Sequence, residues 1–186
     1  MKLKNVLPLI REDWHRHGGD WTRPGFRALA MYRIGRWQHQ LEGSELSTRI
    51  KRRVFGWLYR LLHRFVRNIY GIELHKTADL GRRIYIPHQG GIVIARYATI
   101  GDNCIIRHNV TLGNAGRGVL PEEAPRIEKD VSLGAGCVIL GRVTVGEGAR
   151  IGANVVVYSD VPAGATVMVQ SARVLFAAKA TGFPPA

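Results

Sequence analysis

Acidic residues are scarce in this chain: its 186 residues hold 14 Asp or Glu against 27 Lys or Arg, a formal charge of +13. Cysteine is scarcer still. Cys104 and Cys137 are the only two, and they form neither a metal-ligand spacing nor a disulfide framework. No apolar run approaches the ~18 residues that a bilayer-spanning helix needs. The opening MKLKNVLPLIREDW is interrupted by Arg11, Glu12 and Asp13, too early for a secretory leader. Charged residues make up only 22% and apolar ones 46%, which excludes wholesale disorder. The expectation is a cytoplasmic protein, soluble or held peripherally on the inner face of a membrane.

The positive charge is uneven. Residues 1–70 carry fifteen Lys or Arg against five Asp or Glu; residues 71–186 carry twelve against nine. Such a basic segment suits an anionic membrane, an acidic ligand or plain solvation. Nucleic acid is not expected, because no recognition motif accompanies the charge and the aromatic residues have helix-packing spacing.

Glycine is abundant, 22 residues, and from about Ile72 it belongs to a pattern. An aliphatic residue recurs every six positions: Leu74, Leu80, Ile86, Ile92; then Ile94, Ile100, Ile106, Leu112; then Ile127, Leu133, Ile139, Val145, Ile151, Val157. Four positions past many of these stands a small or β-branched residue, as at Cys104, Val110, Val131, Cys137 and Ala149. A period of six is neither the 3.6 of a helix nor the 2 of a strand. It is the hexapeptide signature of a parallel β-helix, in which three hexads close one triangular coil. Both cysteines fall in the small inward slot and read as core. Glycine after the aliphatic is expected to serve the backbone angles of the corners. The frame slips by two residues between Ile92 and Ile100. It breaks again over Gly113–Arg126, which should leave the prism as a loop.

Residues 1–70 lack the repeat and read as helical. One helix is expected from Pro24 to about Leu41. Another is expected over Ile50–Ile69, with Val54, Trp57, Leu58, Leu61, Leu62, Phe65 and Ile69 as its apolar stripe, and Glu42–Ser47 would link the two. The domain plan is a basic helical segment 1–70, a β-helix 71–165 with a protruding loop 113–126, and a tail 166–186.

The run YGIELHKTADLGRRIYIPHQGGIVIARYATIGDNCIIRHNVTLGN resembles the serine acetyltransferases. It resembles more closely the shorter branch typified by colanic acid and other exopolysaccharide acetyltransferases. The resemblance covers about residues 70–173. It implies a mainly β, left-handed parallel β-helix, a homotrimer or a pair of trimers, acetyl-CoA as donor, and no metal. It places the catalytic base on His88 and its acidic partner on Glu73. It places coenzyme A beside Asn114, Ala115, Ala135, Arg150, Ala153 and Arg173. Glu123, Ala124 and Pro125 stand where serine acetyltransferases carry the Arg-His-Pro that helps hold serine, and Pro87 replaces an Asp. Val169–Ala172 departs from the closing G-x-P-A motif. These departures set the expectation that L-serine is a poor acceptor. A sugar hydroxyl in exopolysaccharide assembly would then be the acceptor. Serine O-acetylation in cysteine biosynthesis is the alternative, and a non-catalytic hexapeptide scaffold a further one.

The residues support the chemistry independently. An alcohol attacks a thioester well only if its proton is removed as the bond forms, and histidine titrates near neutrality. A carboxylate can fix the tautomer of that histidine, and Glu73, fifteen residues before His88, is nearly one coil away. Ile86 and Ile106 lie one coil plus the two-residue slip apart, and His88 and His108 each stand two residues further on. The two imidazoles should therefore stack at one corner about 5 Å apart. His108 and Glu123 are the candidate acceptor-binding residues.

Overall fold

The computed structural model describes residues 5–41, 45–114, 116 and 120–170. Three helices, α1 (Leu7–Arg16), α2 (Pro24–His39) and α3 (Leu46–Phe65), are followed by a π-helical turn, Val66–Tyr70. Thirteen short strands then run from β1 (Ile72–Leu74) to β13 (Thr166–Val167). They form three parallel sheets in the orders β1-β3-β6-β9-β12, β2-β4-β7-β10 and β5-β8-β11-β13. Here β2 is Asp79–Leu80, β3 Ile92–Ile94, β4 Thr99–Ile100, β5 Ile105–Ile106, β6 Thr111–Gly113 and β7 Arg126–Ile127. The remaining strands are β8 Ser132–Leu133, β9 Val138–Leu140, β10 Thr144–Val145, β11 Arg150–Ile151 and β12 Val156–Val157. Successive strands turn a corner instead of pairing with each other, so each sheet is one face of a triangular prism.

The six-residue pattern maps onto this prism directly. Ile94 pairs with Leu112, Ile139 with Val157 and Ile127 with Val145, each 18 residues apart. Ile72–Ile92 and Leu80–Ile100 are 20 apart, which absorbs the two-residue slip. Ile100–Ile127 and Leu112–Ile139 are 27 apart, so nine extra residues leave the prism between β6 and β7. The periodic aliphatics and the small slot, including Cys104 and Cys137, are all buried. Each fully buried aliphatic contributes roughly 1.5–3 kcal/mol of transfer free energy, and stacking is the only way these coils can bury them.

The glycines that follow the aliphatics serve a different purpose from the one expected. Gly101 and Gly134 have no left-handed backbone. What they need is room: a Cβ would meet Lys129 N at 2.5 Å from Gly101, and Ile151 O and Gly152 C at 2.6 Å from Gly134. The left-handed corners fall instead on residues such as Asn103, Asn109, Asp130 and Asn154, with φ of 57–61°. Asn and Asp tolerate that region better than other side chains.

The helices pack on the first coils. The α2 N-terminus lies so close to the prism that a Cβ at Gly25 would come within 2.1 Å of Ile86 O. Tyr32 Oη donates to Ala78 O at 2.7 Å and accepts from Leu80 N at 3.1 Å. The buried Arg33 guanidinium spans Asp13 Oδ2 at 3.0 Å and Leu80 O at 2.6 Å, tying α1 and α2 to β2. Helix α1 was not singled out in the sequence, although Pro8 marks its first turn. The expected linker 42–47 is shorter than anticipated, since Leu46 and Ser47 already belong to α3.

Candidate active site

One corner of the prism brings several of the candidate residues into a single column. His88, His108, Ala135 and Ala153 each stand two residues past an inward aliphatic: Ile86, Ile106, Leu133 and Ile151. Strand register stacks those aliphatics. Ile106 pairs with Leu133 and Leu133 with Ile151, while Tyr85 bridges to Ile105. Backbone bonds lock the corner from coil to coil: Asn109 N to Gly90 O at 2.8 Å, Gly136 N to His108 O at 3.0 Å, and Asn154 N to Ala135 O at 2.8 Å. The column therefore changes from two imidazoles to two methyl groups.

The stacked pair is present. The His88 and His108 ring centroids are 5.8 Å apart at 78°, edge to face. His88 is exposed. His108 is half-buried, and its Nδ1 is enclosed without a hydrogen-bond partner among the described residues. An enclosed ring nitrogen left unpaired by protein is available to a ligand atom.

Two helices fix this corner from behind. His17, at the end of α1, is 1% exposed. Its Nδ1 donates to Asp13 O at 2.7 Å, which leaves Nε2 to accept from Ile86 N at 3.2 Å. Burial holds its pKa below the usual histidine value, consistent with a neutral ring in that tautomer. Nothing in the sequence marks this role, because a lone histidine in a basic segment has no spacing signal.

Glu73 lies on the outer face of β1, in a row with Val93, Thr111, Val138 and Val156. Its negative field reaches Tyr59 and His63 of α3. No hydrogen bond joins it to His88 among the described residues. Glu123 closes a short 3-10 turn, Pro121–Glu123. Its Oε2 is enclosed and has no hydrogen-bond partner among the described residues, 3.2 Å from where a Cβ on Gly116 would stand. Both amide atoms of Asn114 are likewise enclosed without a partner among the described residues. The root of the loop thus gathers polar atoms that the other described residues do not satisfy. Ala115 and Arg173 lie outside the described residues, as do Ser171 and Ala172.

The face formed by β5, β8, β11 and β13 adjoins the histidine corner and bears a trough of about 590 Å³. Its outward row is Ile105, Ser132, Arg150 and Thr166. Gly152 lines it too, with Arg107 and Arg150 as flanking cations. Two guanidinium groups beside Ser132, Gly148 and Gly152 suit a carrier ending in phosphates, with Asp130 also in the lining. Arg150 was expected there. Arg107 was not, though its place next to His108 could have suggested it. Cys104 and Cys137 take no part: burial pushes their thiols up to about 11 and about 12.

Comparison with known proteins fits this geometry. The family described as bacterial transferase hexapeptide (six repeats) matches residues 124–159. A serine acetyltransferase of Helicobacter pylori (strain J99 / ATCC 700824) is 39% identical over 152 residues, which cover 82% of this chain and 81% of that one. The chain belongs to the serine acetyltransferase family. The serine acetyltransferase of Synechococcus elongatus is 37% identical over 153 residues, covering 82% of this chain but only 57% of that longer relative. The solved serine acetyltransferase of Neisseria gonorrhoeae in complex with serine has a TM-score of 0.71 at 28% identity, covering 92% of this chain and 69% of that one. That of Brucella abortus in complex with coenzyme A has a TM-score of 0.72 at 27% identity, covering 92% and 68%. The left-handed parallel β-helix expected from the resemblance stands with these serine acetyltransferases. So do the acyltransferase class and acetyl-CoA as donor.

Two expectations are corrected. The nearer resemblance to the colanic acid and exopolysaccharide branch is not supported, since these relatives are named serine acetyltransferase. The sugar acceptor inferred from Glu123 and Ala124 falls with it. A change of two residues in one loop weighed too heavily there against similarity that runs over four fifths of the chain.

Proposed function

We propose that this chain is a serine O-acetyltransferase that moves acetyl directly from acetyl-CoA to the hydroxyl of L-serine. The observation that carries the reading is the histidine corner, in a chain 39% identical to a serine acetyltransferase over 81% of that relative's length. In the reaction, His88 takes the proton from the serine hydroxyl as its oxygen attacks the thioester carbon. The oxygen–carbon bond forms, the carbon–sulfur bond breaks, and the imidazolium returns the proton to the departing thiolate. Glu73 supplies the negative charge that favours the imidazolium, and His108 offers its unpaired ring nitrogen to the acceptor. Asn114, Ala135, Arg150 and Ala153 line the path of coenzyme A, with Arg107 added. Ala115 and Arg173 belong to the same proposal.

Glu123 and Ala124 then change how the amino acid is held rather than which acceptor is used. The carboxylate of Glu123 suits the ammonium group of serine, whereas the family's arginine suits its carboxylate. A homotrimer fits a prism with flat faces and a trough open to a neighbour. The test is coenzyme A release from acetyl-CoA with and without L-serine, with O-acetylserine identified by mass. Serine-dependent release is the expected result. Binding of acetyl-CoA with no turnover at saturating L-serine would overturn the proposal.

A further inference from the structure

Helix α3 meets the rest of the protein along a narrow strip, through Tyr59 and the half-buried Phe55 and His63. At 3.6 residues per turn, Ile50, Val54, Trp57, Leu61 and Phe65 share a flank that points away from that strip. Each is between 43% and 59% exposed. Ile69, in the turn that follows, extends the stripe. The adjoining flank is basic. Arg49, Arg52, Arg53 and Arg60 join Lys76 around an open groove of about 780 Å³ between α3 and the end of α2. The twenty residues of α3 contain no Asp or Glu, and none of these five cations is in an ion pair among the described residues.

We propose that α3 docks the enzyme on the surface of a bilayer rich in anionic phospholipid, with the apolar flank in the interface and the basic groove on lipid phosphates. The charge pattern selects this occupant. A second copy of the chain carries +13 itself, and even its residues 71–186 are net basic, so overall charge opposes it as the partner of α3. Helix against like helix would set arginine against arginine. Nucleic acid would satisfy the cations but leave the apolar flank in water. An anionic bilayer meets both flanks at once. No described helix is long and apolar enough to cross a membrane, so α3 lies on the surface.

The test is flotation of the full chain with vesicles of phosphatidylcholine alone and of phosphatidylcholine mixed with phosphatidylglycerol. Three chains are compared: the unaltered protein, a Trp57→Ser/Leu61→Ser variant and an Arg53→Gln/Arg60→Gln variant. The expected result is binding to the anionic vesicles only, reduced at least ~10-fold by either variant and by salt that shortens the screening length to about 3 Å. Light scattering should give one oligomeric state for all three. Three results would overturn the proposal. One is no flotation at low salt. Another is a smaller oligomer for Trp57→Ser/Leu61→Ser, which would place the apolar flank between copies. The third is loss of binding in the arginine variant but not in the apolar one, which marks a polyanion site such as one for nucleic acid.

Discussion

His17 Nε2 accepts a hydrogen bond from the backbone N–H of Ile86 at 3.2 Å, two residues before His88. The same residue is gripped from α2, where Gly25 leaves no space for a Cβ against Ile86. The histidine corner is therefore held by helices from outside the repeat. Replacing His17 by Ala leaves the Ile86 N–H buried and unpaired, at a cost of about 1–3 kcal/mol. The expected outcome is a lower thermal midpoint together with a fall in kcat of roughly tenfold from misplacement of His88. His17→Gln, which keeps an acceptor, should recover part of kcat. A variant that loses stability but keeps full kcat would reduce His17 to a packing role.

His88→Ala should lower kcat by ~10²–10⁴, the usual worth of a general base, while the exposed position leaves the fold intact. Glu73→Gln should lose less, because Glu73 acts on the imidazolium at a distance and accepts no proton. His108→Ala should raise KM for L-serine more than it lowers kcat. Steady-state kinetics with circular dichroism on each variant checks the order of effects; undiminished turnover in His88→Ala removes the base from the mechanism.

The prism was legible because its core rule is one-dimensional: an aliphatic every six residues can only be buried by stacking. Even the irregularities could be read, as the two-residue slip and the nine-residue excursion both appear in the strand register. The stacking of His88 on His108 followed from the same counting. What counting cannot supply is a partner from outside the repeat. His17 acts through one long-range bond to Ile86, and Arg33 through bonds to Asp13, Leu80 and Gly81, none of which leaves a periodic trace. Arg107 was hidden for another reason, since an exposed arginine on a basic chain looks like any other. Glu123 was visible as a departure from the family, but its consequence for the acceptor was misjudged.

Arg107 and Arg150 flank the trough proposed for coenzyme A. A cation that meets phosphate in both ground state and transition state affects binding alone, so its loss changes KM and spares kcat. Arg150→Gln and Arg107→Gln should each raise KM for acetyl-CoA several-fold, about 1 kcal/mol for a charge-assisted contact at an exposed site. KM for L-serine should stay constant. An unchanged KM for acetyl-CoA in the double variant would move the carrier elsewhere.

Gly134→Ala tests the close approach of coils without touching the site's side chains. Its Cβ would stand 2.6 Å from Ile151 O and Gly152 C, backbone atoms that cannot rotate away. The expected cost is about 1–3 kcal/mol of overpacking, read as a lower thermal midpoint. Gly148→Ala is the contrast. That residue has space around it but a φ of 69°, so its penalty is backbone strain of about 1–2 kcal/mol. If Gly134→Ala were neutral, the coils would have more room than their register allows.

Stability should fall in mild acid, and His75 is one cause. Arg96 Nε donates to its Nε2 at 3.1 Å, and its Nδ1 bonds Thr77 Oγ1 at 2.8 Å. Partial burial first, then the positive charges of Arg96 and Lys76, push its pKa down to about 4, with His63 and His39 adding to the effect. Burial likewise lowers His17. For such groups the unfolded chain binds more protons than the native one between the two pKa values, so stability rises with pH across that interval. Above about 6.5, the unfolded value, the contribution is complete. It is lost as pH falls towards about 4, where His75 in the folded protein takes its proton. Thermal midpoints measured from pH 7 to pH 4 should therefore drop more steeply for the unaltered protein than for His75→Gln, which has no proton to take. Parallel curves for the two would show that His75 does not couple to folding, and the acid sensitivity would then rest on His17 and the carboxylates.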